Sequence, residues 1–330
     1  MPKRIGHLFE KAFTIENIYE AYLDARKGKQ NKQEVFQFGN DLGSNLLNLH
    51  KQIHDNTYVP DPYFRFMVTE PKEREILAPS FRDIVVQHAI YRVIYDIFNK
   101  TFISTSFACR KGYGTHKCSD CAQKYMRKCD SNSYFLQLDI HHFFASIDRN
   151  VLRKLIERKI KDTRFVSIMM VFTTSGKVKG LPIGNLLSQI YALIYLNPLD
   201  HFVKEKLKIK YYCRYVDDFV IFGLTRSICL IVKKQIENFL WYYLDLKLSK
   251  YVIFRIRHGI NYVGFRTWKS KRFIRKYSFY KFFRNLKRFK YDSVMSILAH
   301  SLRTQSYRSL CVNFFLKLIF KRDLAAKCQI

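Results

Sequence analysis

The chain has 330 residues, enough for one large domain or a few lobes around connected cores. Hydrophobic residues make up 48% and aromatic residues 16%, which excludes a disordered chain. Lys and Arg number 58 against 27 Asp and Glu, a net charge of +31, whereas a small soluble domain typically carries a net charge of about 2–8.

A compact body with that surplus repels itself unless a polyanion covers it, so nucleic acid is the expected partner. A basic membrane-surface protein is the weaker reading, because the cations are spread along the whole chain and no lipidation signal is present. No apolar run approaches the ~20 residues of a membrane span, and Met1-Pro-Lys-Arg-Ile-Gly-His7 lacks the apolar core of a secretory signal. A cytoplasmic protein without a membrane partner is expected. Eight unevenly spaced cysteines fit reduced thiols better than a disulfide framework.

In chain order, residues 1 to about 60 predict helices, with Ile15, Ile18, Tyr19, Tyr22 and Leu23 and then Leu42, Leu46, Leu47, Leu49 and Ile53 at helical spacing. Tyr63 to Thr69 alternates as a strand does. Phe81 to Phe98 has the i, i+3, i+4 pattern of a helix. Cys118-x-x-Cys121 could open a zinc site. Its surroundings, Ser119 to Lys128, read as a helix, and no second tight Cys or His pair follows, so buried thiols are the better reading.

Tyr134 to Ile140 is a short β run carrying Asp139 near its end. Lys210 to Phe222 reads as two β runs meeting at Val216-Asp217-Asp218, a hairpin. Gly259 to Phe265 is another short strand region. From Phe273 the chain is basic and aromatic at helical periods. This order of sheet and helix predicts an α+β fold in three lobes. No linker of Pro, Gly or Ser and no internal repeat interrupts it.

The hairpin carries the chemistry. Two-residue turns normally use Gly or Asn, which tolerate positive φ, yet this one has Val and two adjacent carboxylates between apolar strands. Such carboxylates repel each other, and bound cations would relieve the repulsion. A solvated acidic turn is the bland alternative. Asp139, at the end of its own strand, is a third acid of the same kind. Carboxylates from neighbouring strand ends can hold two Mg²⁺ ions about 3.5–4 Å apart for in-line phosphoryl transfer.

These motifs resemble the reverse transcriptases. Tyr215-x-Asp217-Asp218 is similar to the family's hairpin motif, and Asp139 with Phe143-Phe144 to its first metal-binding motif. Gly180-Leu-Pro-Ile-Gly-Asn-Leu-Leu-Ser-Gln189 followed by Tyr195-Leu-Asn-Pro-Leu-Asp200 resembles the segment between them. Glu70-Pro-Lys-Glu-Arg-Glu-Ile76 and Phe81-Arg-Asp83 resemble finger motifs, and Leu248-Ser-Lys250 and Gly259-Ile-Asn-Tyr-Val-Gly-Phe-Arg266 the remaining palm motifs and primer grip. The resemblance covers roughly residues 60 to 290.

It implies a right-hand polymerase: a helical N-terminal extension (1–60), fingers (61–133), a palm of antiparallel sheet packed on helices (134–268, with finger and palm helices 149–200) and a helical thumb (269–330). It implies Asp139, Asp217 and Asp218 as catalytic ligands of two Mg²⁺ ions, with Mn²⁺ as a substitute and Ile140 beside them in the metal site. Lys250 would protonate pyrophosphate, against the competing reading of a surface lysine. Lys72 and Arg74 would reach the triphosphate. Phe144 would act as the steric gate against a ribose 2′-hydroxyl, against an ordinary core aromatic. Ile183, Gly184 and Gln189 would line the nucleotide site, and Val263 and Gly264 would form the primer grip. Template RNA, primer or cDNA, and deoxynucleoside triphosphates are the implied partners.

Within the superfamily, Pro-Ile-Gly-x-Leu-x-Ser-Gln and Gly-Ile-Asn-Tyr-Val-Gly-Phe-Arg-Thr-Trp268 are similar to the reverse transcriptases of diversity-generating retroelements. Most of the superfamily carries Gln where this chain has Ile183. Group II intron relatives extend further, into a maturase region, and retron enzymes usually lack this signature. The resemblance implies a template-repeat RNA, cDNA with frequent errors at template adenines, transfer of that cDNA into a variable target gene, and a small basic oligomeric accessory protein. The segment Ser296-Ile-Leu-Ala-His300 follows the thumb signature only loosely, with Ala299 where Gly is common. Antiviral defence-type or retron-like enzymes stay open as alternatives. So does a non-catalytic RNA-binding scaffold, although a scaffold has no reason to keep clustered carboxylates.

Overall fold

The computed structural model describes residues 4–69, 73–174, 176 and 178–327, with side chains to Lys317. Among the described residues nine strands run in chain order as β1 (Phe64–Val68), β2 (Arg74–Ala78), β3 (Tyr134–Ile140), β4 (Tyr212–Tyr215), β5 (Asp218–Leu224), β6 (Leu248–Arg255), β7 (Ile260–Tyr262), β8 (Phe265–Thr267) and β9 (Arg272–Ile274). Helices precede β1, follow β9 and separate β2 from β3, β3 from β4 and β5 from β6, and the α+β expectation holds. The chain divides into two interleaved compact units. The first holds residues 1–104, 139–208 and 234–250, and the second holds 105–138, 209–233 and 251–330.

In the first unit, the N-terminal helices form where they were predicted, over Ile15–Arg26 and Leu42–His54. Thr14 caps the former by accepting from Asn17 N–H. The long helix Phe81–Asn99 buries Val85, Val86, Ala89, Ile90 and Ile94, an almost continuous apolar face. Its N-terminus anchors the chain ahead of β1. Asp83, almost fully buried, accepts from the Tyr58 hydroxyl at 2.6 Å and from Asp61 N–H at 2.8 Å. Burial still pushes its carboxyl above the usual range. The sequence motif around Asp83 is thus a structural clamp. β1 and β2 pair antiparallel from Phe64↔Ala78 to Val68↔Arg74, and every residue of β1 is exposed.

In the second unit the sheet order is β4-β5-β3-β6. Helix Thr115–Lys128 covers it through Cys118, Ala122 and Met126, which meet Phe135, Cys213, Val220 and Phe222. Cys118, Cys129 and Cys213 are free, buried thiols, and Cys118 and Cys121 hydrogen-bond to Cys213. They fill the core, as small apolar side chains do. A separate sheet, β7-β8-β9, is followed by helices Lys276–Lys287, Tyr291–Ser301 and Ser306–Lys327. These share a core of Phe265, Ile274, Phe282, Leu286, Val294, Leu298 and Leu310.

β2, β6, β8 and β9 are strands that the pattern did not announce, since the expected strand region ended at Phe265. β6 is mostly half-exposed or exposed, so its sequence lacks the apolar alternation of a buried strand. Among the described residues no helix is long and apolar enough to cross a membrane.

Candidate active site

The acidic hairpin forms as expected. β4 and β5 pair from Tyr212↔Ile221 to Tyr215↔Asp218, which leaves Val216 and Asp217 as a two-residue turn. Val216 sits at φ 56°. A β-branched side chain is a true outlier in that left-handed region, where turns normally place glycine. The strands on either side supply the restraint: Phe219, Val220, Ile221 and Phe222 are all buried. Strain held by a packed sheet at this position is the kind that accompanies function.

A neutral donor reaches the second of the hairpin acids. Gln137, on β3, donates from Nε2 to Asp218 Oδ1 at 2.9 Å. The Tyr262 hydroxyl lies 3.1 Å from the Asp218 carbonyl and 3.3 Å from the Cys213 carbonyl, so it ties the two strands of the hairpin from below. Burial drives the Tyr262 phenol far above its ordinary pKa, which keeps it a donor at any working pH.

Tyr262 also opens the second short hairpin. β7 and β8 pair through Tyr262↔Phe265, and Val263 (φ 43°) and Gly264 (φ 91°) form the turn between them. A β-carbon on Gly264 would lie 2.8 Å from His300 Nε2. The ring that occupies this space stacks on Phe265, with centroids 4.3 Å apart, and burial lowers the His300 pKa.

In the first unit, Asp139 is half-buried and accepts from the Ser249 hydroxyl at 2.9 Å. Ser249 also bonds the Asp139 carbonyl at 3.2 Å, and His141 N–H donates to the Lys247 carbonyl at 2.8 Å. The acid is thus held by the start of β6, where Lys250 is exposed. Ile140 is buried, so only its backbone could serve a ligand. Phe144 is half-buried in the turn of helix Phe143–Ser146, and its carbonyl accepts from Leu181 N–H at 2.8 Å.

The segment from Gly180 to Gln189 is fastened to the first strand pair. Leu77 N–H donates to the Ile183 carbonyl at 2.8 Å, and Gly184, at φ 130°, leaves only 2.5 Å between a would-be β-carbon and the Leu77 oxygen. Asn185 donates to the Tyr63 hydroxyl at 2.8 Å and to the Phe172 carbonyl at 3.1 Å. Ile183 is therefore joined through β2 to the strand that begins at Arg74, which is exposed. Gln189 is exposed on the helix Leu186–His201. Lys72 lies outside the described residues.

Asp139 and Lys250 belong to the first unit, and Asp217, Asp218, Val263 and Gly264 to the second. Among the described residues no group of three or more His, Cys, Asp or Glu is gathered to hold a metal. Carboxylate oxygens are nonetheless the donors that Mg²⁺ and Mn²⁺ prefer, and the donors seen here, Ser249 and Gln137, are neutral, so they fit such ions chemically. The sequence alone did not single out Gln137, Ser249, Arg214 or Tyr262. Gln137 could have been found two places before Asp139 on the same strand face, and Arg214 directly precedes the hairpin motif.

Residues 70–267, more than half of the chain, match the family model described as reverse transcriptase (RNA-dependent DNA polymerase). The chain belongs to this family. The matched segment holds β2 to β8, both short hairpins and Asp139. Among relatives, the group II intron-encoded protein LtrA of Lactococcus lactis subsp. cremoris is 29% identical over 173 residues, 49% of this chain and 28% of that protein. Protein YkfC of Escherichia coli K12 is 22% identical over 277 residues, 70% of this chain and 73% of that one. The chain thus spans little more than a quarter of LtrA. Apo telomerase from Candida tropicalis, truncated from its C-terminal domain, superposes with a TM-score of 0.49 at 14% identity, over 68% of this chain and 59% of that one.

Proposed function

We propose that this reverse transcriptase family member is an RNA-directed DNA polymerase that copies a template RNA into cDNA. The observation that carries the reading is the Val216-Asp217 turn, a strained two-residue hairpin kept where it presents two adjacent carboxylates. Asp139, Asp217 and Asp218, with the Ile140 backbone, would hold two divalent cations, Mg²⁺ or Mn²⁺ in its place. When bound, such ions lower the pKa of a primer 3′-hydroxyl and offset charge on the leaving pyrophosphate.

The protein's own part is positioning. Ser249 orients Asp139 and Gln137 orients Asp218. Arg74 and Lys72 would receive the triphosphate, Arg through its planar fork. Phe144, Ile183, Gly184 and Gln189 would shape the nucleotide site, with the Phe144 ring excluding a 2′-hydroxyl. Val263-Gly264 would meet the primer, and Lys250 would donate a proton to pyrophosphate. The net charge of +31 suits a body that tracks phosphates. In the right-hand description, residues 1–133 are fingers with their helical extension, 134–268 palm and 269–330 thumb.

We further propose that the enzyme serves a diversity-generating retroelement, copying a template-repeat RNA with errors at adenines and working with a small basic accessory protein. Ile183 supports this reading. Its backbone is fastened to Leu77, and its half-buried apolar side chain cannot make the hydrogen bonds of a Gln. Mispairs would then be rejected only by shape, and small apolar contacts separate substrates by about 1–3 kcal/mol.

The test is deep sequencing of cDNA made on one RNA template by the wild-type chain and by Ile183→Gln. Frequent errors opposite adenine, reduced in Ile183→Gln, are expected. Adenine copied as accurately as the other bases would transfer the assignment to a defence-type or retron-like enzyme. Adenine errors unchanged in Ile183→Gln would keep the assignment and remove Ile183 from its mechanism.

A further inference from the structure

Val216 needs something to hold it. A valine at φ 56° is disfavoured on its own, and its peptide is the one that leads into Asp217. Arg214, two residues earlier, is completely buried and donates from a guanidinium nitrogen to the Val216 carbonyl at 2.8 Å. Its own backbone is fixed on both sides: Arg214 N–H donates to the Thr105 carbonyl at 2.9 Å, and its carbonyl accepts from Phe107 N–H at 3.0 Å. The strut that does this is itself tied down, because Arg110 donates to the Ser106 carbonyl at 2.8 Å.

A buried guanidinium is an expensive way to fill a core, since an apolar side chain of the same volume would pack there without desolvating a charge. Its presence calls for a polar task. We propose that Arg214 is the positioning residue of the acidic hairpin, its guanidinium locking the Val216 peptide so that Asp217 is presented in one fixed geometry. This rests on the reading that the hairpin acids hold divalent cations.

A simpler role, that of a counter-charge to Asp217 and Asp218, predicts the opposite sign. Removing a counter-charge leaves the carboxylates more negative and tightens cation binding. Removing a positioning bond lets the turn relax and weakens it. The experiment uses the full chain and its Arg214→Ala and Arg214→Lys variants. Mn²⁺ binding is followed by electron paramagnetic resonance, backbone exchange over residues 213–219 by hydrogen–deuterium exchange, and primer extension by kcat and KM for a deoxynucleotide.

In Arg214→Ala, Mn²⁺ binding should weaken about tenfold or more, as expected for loss of a charge-assisted hydrogen bond. Exchange at the turn should speed up, and kcat should fall while KM changes little. Millimolar guanidinium should restore part of the kcat. Arg214→Lys keeps the charge without the planar fork, so it should show the same faster turn exchange and at least as large a loss of Mn²⁺ binding; it also serves if the alanine variant does not fold. Tighter or unchanged Mn²⁺ binding with unchanged turn exchange would overturn the proposal. A wild-type chain that binds Mn²⁺ no better than Asp217→Asn would instead fail the metal reading, and the exchange data would then judge Arg214 alone.

Discussion

The Gln137 side-chain amide lies 2.9 Å and 3.3 Å from the two oxygens of Asp218, and 3.3 Å from the Asn261 carbonyl. One –NH₂ group can serve a carboxylate and a carbonyl together, because it has two protons. The second acid of the hairpin is therefore fixed by a neutral donor that leaves its charge intact. Asn261 belongs to β7, so the same amide also links the hairpin to the turn that follows Tyr262.

Gln137→Leu keeps the side-chain volume and removes that donor. A hydrogen bond to a charged group contributes about 1.5–3 kcal/mol, so DNA synthesis should fall roughly 10- to 100-fold. Steady-state primer extension checks this, and circular dichroism should show the fold retained. Full activity in the leucine variant would mean that Asp218 needs no orientation from β3.

The hairpin, the long helix Phe81–Asn99 and the strand bearing Asp139 were all legible in the sequence, because each has a period or a motif that is written locally. The supports were not. Ser249 meets Asp139 across 110 residues of chain and Gln137 meets Asp218 across 81, and no local pattern encodes such a pairing. β6 was hidden for a different reason: all eight of its residues are half-exposed or exposed, so apolar alternation never appears. Asp83 read as part of a finger motif, and its buried contacts with Tyr58 and Asp61 give it a structural task there. Residue type alone does not separate a clamp from a ligand.

Gly184→Ala should be strongly destabilising. Its backbone lies at φ 130°, and a β-carbon would stand 2.5 Å from the Leu77 oxygen, a backbone atom that cannot swing aside. Strain and the lost Leu77–Ile183 bond together should cost about 2–4 kcal/mol, read as a lowered midpoint in urea. An unchanged midpoint would show that the 180–189 segment does not depend on its seat against β2.

Phe144→Ala should raise incorporation of ribonucleotides relative to deoxynucleotides by about tenfold or more, since a ring that excludes a hydroxyl is replaced by open space. Single-nucleotide extension with matched ribo- and deoxynucleotides gives the ratio. The half-buried ring is also in contact with Phe143, centroids 5.4 Å apart, so some loss of stability is expected alongside. A lower stability with an unchanged ratio would leave Phe144 as a core aromatic only.

Asp217→Asn tests whether the hairpin carboxylates serve metal-dependent polymerisation. The amide keeps the shape of the side chain and removes the charge that a divalent cation needs. Extension of a DNA primer on an RNA template, with Mg²⁺ and then with Mn²⁺, should drop by on the order of a thousandfold in the variant. RNA affinity measured in parallel should stay the same or rise slightly, because a negative charge near phosphates has been removed. Substantial extension by Asp217→Asn, with either metal, would contradict the assignment.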